Sequence, residues 1–75
     1  MMGKNQHVVG HESGGWAVKE EGAASPFAVF KTQSDAWEKA KSIARKERTE
    51  ALLHGRNGAI RARSTYGRDP RRPKG

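Results

Sequence analysis

Only one stretch of this 75-residue chain repeats its apolar residues at helical spacing, and most of them are alanines. Ala36, Ala40, Ile43 and Ala44, with Glu47 roughly continuing the line, form one stripe between Gln33 and about Arg48. Thr32 suits the N-cap, and Asp35 three residues later completes a box-like start. Trp37 flanks the stripe, while Lys39, Lys41, Arg45, Lys46 and Arg48 take the remaining surface. Side chains this small let a helix lie close against a sheet, so the flanking segments are expected to supply strands.

They do so in short runs. QHVVGHE and WAVKEE, separated by SGG, read as a hairpin whose glycines supply positive φ. Trp16 and Val18 share the face expected to be core, with Ala17 and Lys19 on the other. GAASP breaks the pattern, and PFAVFKT reads as a third strand, either half-covered on both sides or at the sheet edge with Pro26 starting it. After the helix, TEALLHG and AIRARST flank Asn57-Gly58, which predicts a type I′ turn with two positive-φ residues. Ile60 and Ala62 are expected on one face of the last strand; Arg61, Arg63 and Thr65 are expected on the other. The order is β-β-β-α-β-β: an α+β fold with a single antiparallel or mixed sheet and one helix on one face. Whether the two hairpins adjoin or flank the third strand is left open by the pattern. Residues 1–5 are expected to be a flexible N-terminus, 6–67 the domain, and 68–75 a basic tail containing Pro70 and Pro73.

Charge is unevenly spread along this frame. The chain carries a net +7, of which residues 1–54 contribute +1 and residues 55–75 contribute +6. Such asymmetry points to a polyanionic partner or to a solubilising segment. There is no cysteine, so disulfides and thiolate chemistry are excluded. No run is long and apolar enough for a membrane helix, and the start has no signal-peptide hydrophobic segment, so no membrane association and a cytoplasmic location are expected.

Several motifs resemble a known family. His7-Val8-Val9-x-His11, Gly14-Gly15-Trp16-Ala17-Val18-Lys19, the Thr32-x-x-Asp35-Ala36 helix start, His54-Gly55-Arg56-Asn57-Gly58-x-Ile60 and Tyr66-Gly67-Arg68-Asp69-Pro70-x-x-Pro73-Lys74-Gly75 are similar to a family of small bacterial proteins, domain of unknown function 2188. The resemblance spans about His7 to Gly75 and departs at Trp37, where a smaller residue is expected. It implies a single domain to which the PKG ending belongs, and implies no activity, cofactor or ligand.

The candidate binding residues are Arg56, Arg61, Arg63, Tyr66, Arg68, Arg71, Arg72 and Lys74. The arginine forks suit phosphate oxygens and Tyr66 could stack on a base. A solvated strand face that discourages edge pairing accounts for the same residues. Among the histidines, His7 and His11 on one strand stand about 13 Å apart, too far for one metal ion. His54 could approach one of them if their strands neighbour, and paired histidines or a bond to a turn are expected rather than a metal site. No nucleophile elbow, His–acid pair or phosphate loop is evident, so neither catalysis, a cofactor nor a small-molecule substrate is expected. The expected role is a non-specific nucleic-acid-binding accessory protein, for DNA or RNA. The alternative is a protein-interaction or self-associating domain, including a homodimer, with Trp37 as anchor.

Overall fold

A computed structural model describes residues 4–66. Five strands and one helix follow in the expected order: β1 (Gln6–Gly10), β2 (Trp16–Glu20), β3 (Ala28–Phe30), α1 (Gln33–Glu47), β4 (Glu50–His54) and β5 (Ile60–Thr65). The sheet order is β3-β2-β1-β4-β5, so the two hairpins adjoin directly. They meet through a parallel pairing of β1 with β4, while every other pair is antiparallel. The sheet is therefore mixed.

Helix α1 begins as its sequence predicts, with the Thr32 hydroxyl accepting the Asp35 N–H at 3.1 Å. It ends at Arg48, which adopts φ 61° and ψ 46° and donates its N–H to the Ala44 carbonyl. Ala36, Ala40 and Ala44 are fully buried on the cross-strand row Val18–Val8–Leu53–Ala62. Trp16 and Val18 occupy the core face as expected, and Ile43 and Trp37 pack at its margin.

Both hairpin loops have the same construction. His11 N–H donates to the Gly15 carbonyl and Gly14 N–H to the His11 carbonyl; Gly55, Gly58 and Ala59 repeat those two bonds. In each loop only the third residue, Gly14 or Gly58, has positive φ (97° and 91°). This is a type I turn followed by a left-handed residue, not the type I′ turn predicted at Asn57-Gly58. Asn57 contributes through its side chain instead, accepting the Ala59 N–H at 3.0 Å.

A second departure lies in β5. Leu53 pairs with Ala62, but His54 pairs with Ile60, so Arg61 is an extra residue in the ladder. The bulge reverses the alternation. Ala62 packs on the core while Ile60 is 53% exposed, so the two do not share a face as expected. At the N-terminal side, Asn5 accepts the Glu50 N–H on its side chain and the Glu21 N–H on its carbonyl, and so is anchored to the sheet. Residues 67–75, which hold all of the expected basic tail, lie outside the described residues.

Adjacent glycines at the first loop meet different constraints. A Cβ on Gly15 would collide with the Phe30 carbonyl oxygen, whereas Gly14 has open space around it but a left-handed backbone. Gly15→Ala should therefore cost about 1–3 kcal/mol by overpacking. Gly14→Asn should cost far less than Gly14→Val, because Asn tolerates that backbone region. Urea midpoints of the three variants would test this assignment.

Candidate functional site

The helix covers one face of the sheet and leaves the other open. Across the open face the register aligns Lys19, His7, Leu52 and Arg63 from β2, β1, β4 and β5. A neighbouring row carries Val29, Ala17 and Val9. Ala17 and Leu52 are buried by their neighbours even on this side. Arg63 Nε lies 4.0 Å from Glu50 Oε1, so its charge is opposed locally.

Parallel pairing of β1 with β4 brings His54 to His7. Their Nε2 and Nδ1 atoms are 2.9 Å apart. His7 Nε2 meets Glu21 Oε1 at 3.2 Å, and that oxygen also accepts from Asn5 Nδ2 at 3.1 Å. At the other end, His54 Nδ1 lies 3.2 Å from the Gly58 carbonyl oxygen. These groups make a chain from the β4–β5 turn to the end of β2. Its hydrogen bond to His7, joined by that to Asn5, holds the Glu21 carboxyl below the usual carboxylate range. His11 stands apart, its Nδ1 2.8 Å from Ser13 Oγ within the first loop.

Sequence reasoning allowed His54 to approach another histidine and bond to a turn, and both contacts are present. It found no His–acid pair, yet Glu21 reaches His7 across the β1–β2 hairpin. The available signal was hairpin register, which pairs Gln6 with Glu20 and so brings Glu21 beside the start of β1. Among the described residues no three metal-ligating side chains converge.

The predicted basic set is dispersed. Arg56 turns to the helix side, where its guanidinium lies 4.4 Å from the Trp16 ring centroid and Nη2 donates to the Gly14 carbonyl at 2.5 Å. It crosses Gly10, where a Cβ would stand 3.3 Å from its Nη1. Tyr66 is half-buried against the core, its N–H bonded to the Thr49 carbonyl and its ring 5.8 Å from the Arg45 guanidinium. Arg61 is exposed on the outer strand, with no ion-pair partner among the described residues. Arg68, Arg71, Arg72 and Lys74 lie outside the described residues. Trp37 packs partly on the core with Lys41 over its ring. Arg45 and Arg48 stand at the end of α1, beside the point where β5 runs into Tyr66, whereas Lys46 lies on the side of the helix that faces Glu20 and Phe27.

The described residues thus form a small helix-on-sheet α+β domain with an imidazole–carboxylate chain on its open face. The chain belongs to the DUF2188 family, "Uncharacterized protein conserved in bacteria", whose model matches residues 6–66. It is also 37% identical over 67 residues to "Uncharacterized protein YdaT" of Bacillus subtilis (strain 168). That alignment covers 89% of this chain but 44% of the relative, so the chain spans less than half of that relative's length. No solved structure is a significant match. No helix among the described residues is long and apolar enough to cross a membrane.

The placement of Arg56 yields a direct test. Arg56→Lys keeps the charge but loses the planar stack on Trp16 and the reach to Gly14. It should cost about 0.5–1 kcal/mol, read as a lower urea midpoint with an unchanged slope.

Proposed function

We propose that this domain is a non-catalytic, cytoplasmic accessory module that binds nucleic acid through phosphate contacts. The observation that carries the reading is a coincidence of position and charge. The outer strand β5 delivers the chain at Tyr66 beside Arg45, and exposes Arg61 at its other end, against Gly55. The next eight residues of sequence after Gly67 hold Arg68, Arg71, Arg72 and Lys74 against Asp69. The binding set is therefore centred on Arg45, Arg48 and the terminal cations, with Arg61 at the far end of β5 and with Arg56 and Tyr66 serving mainly to hold the fold.

Arg48 supports this reading. It is the non-glycine residue with positive φ among those described, at a helix end where glycine is the usual choice. A left-handed arginine costs roughly 1 kcal/mol. It places a second long cation near Arg45 at the helix end, where the helix carbonyls also favour positive charge.

Fluorescence anisotropy with short DNA and RNA across a salt series tests the proposal. Micromolar binding with a steep negative salt slope is expected. Arg48→Gly should raise the urea midpoint while weakening binding and reducing the slope by about one. Absence of binding at low salt, or an Arg48→Gly protein that gains stability and binds unchanged, would remove the basis for this reading.

A second reading, a protein-interaction or self-associating role, is favoured at the opposite edge. There β3 leaves Phe27 63% and Val29 45% exposed beside an unpaired strand edge. That observation moves the candidate contact from Trp37 to β3. Under it, light scattering should show a concentration-dependent dimer that Val29→Lys abolishes; a monomer at all concentrations would argue against self-association.

A further inference from the structure

The two imidazoles on the open face obey a strict proton count. The Gly58 carbonyl can only accept, so His54 Nδ1 carries a hydrogen. The Glu21 carboxylate can only accept, so His7 Nε2 carries another. One more is needed between His7 Nδ1 and His54 Nε2. All three bonds therefore require one hydrogen more than two neutral rings hold. That charge belongs mainly to His7, which faces the carboxylate, while His54 is the neutral acceptor of the central bond.

We infer that His7 and His54 form a single proton-binding unit, a latch that ties the Arg56-Asn57-Gly58 turn to the end of β2 only in its singly charged state. Taking up a second proton sets N–H against N–H and breaks the central bond. Losing the first leaves one of the three bonds without a hydrogen, and with Glu21 and Gly58 both requiring donors the central bond is the one lost. The latch is thus complete in a window of pH and opens on both sides of it.

The contact geometry suits a proton and not a metal ion. The ring centroids stand 5.2 Å apart with planes inclined by 27°, while the facing nitrogens are 2.9 Å apart. The difference is about two ring radii, so the nitrogens lie on the line joining the rings. A chelated metal would need both lone pairs to converge on a point off that line.

The neighbouring charges are few. Lys19 on β2 pairs in register with His7, and Glu20 and Glu21 follow it. Glu50 and Arg63 lie on the β4–β5 side and oppose one another. Helix α1 covers the other face and contributes none. Glu21 itself stays ionised until pH falls through its lowered value, so the acceptor at the His7 end of the chain persists on the acid side.

The test uses the full chain labelled with ¹⁵N-histidine. Near the middle of the window, a nitrogen–nitrogen coupling should appear across the His7–His54 bond, with His7 carrying both hydrogens and His54 carrying one on Nδ1. The Gly58 amide resonance should move in the same steps as both rings. His54→Gln should abolish the maximum in urea midpoint against pH that the wild type should show, leaving only the response of the remaining His7–Glu21 pair. Independent imidazole titrations with no coupling and no response at Gly58 would overturn the latch. These readouts are taken on the wild-type protein without nucleic acid, so failure of the polyanion reading leaves them unaffected.

Discussion

The parallel pairing of β1 with β4 is the constraint on which the remainder of the structure depends. Parallel neighbours cannot be joined by a tight turn, so β2, β3 and α1 must all lie in the connection between them. The helix closes that connection by crossing both strands, and its three buried alanines let it settle on Val8 and Leu53. The same pairing sets His7 level with Leu52, one alternation from His54. Core on one face and histidine chain on the other are thus two consequences of a three-pair ladder.

Placement decides what each arginine can do. Arg56 lies over an aromatic ring and bonds a loop carbonyl, so its charge is committed to the fold. Arg63 faces Glu50, although at 4.0 Å on an exposed face that pairing contributes little stability. Arg45 and Arg48 remain at the helix end, and Arg61 protrudes because the bulge inserts it into the outer strand. A count of basic residues therefore overstates the uncommitted charge on the strand face and understates that at the helix end.

The helix was fully legible, because its cap and apolar stripe are local features. The strands were legible for the same reason, and so was the inward face of β2, marked by Trp16 and Val18. Register and neighbour order were less so. Nothing near His7 in sequence announces that the residue 47 positions later will lie beside it, since that proximity follows from a long-range pairing. The faces of β5 were misjudged because strict alternation assumes an unbroken ladder, and Arg61 breaks it. Asn57-Gly58 correctly marked a turn, but its left-handed requirement was met by Gly58 alone.

The β4–β5 turn is held from both faces of the sheet by contacts of different character. On the helix side Arg56 reaches Gly14 and Trp16, and a guanidinium keeps its charge at any ordinary pH. On the open side His54 keeps its Nδ1 hydrogen on the Gly58 carbonyl, but the bond from His54 to His7 that ties the turn across the sheet depends on the protonation of the two rings. Because the first contact persists when the second opens, a change of pH should loosen the turn without detaching it. The response is then confined to Gly58, His54 and the adjoining bulge, which is where Arg61 leaves the sheet. A local rearrangement there can reorient one exposed cation while Arg45 and Arg48, carried on the helix, stay in place.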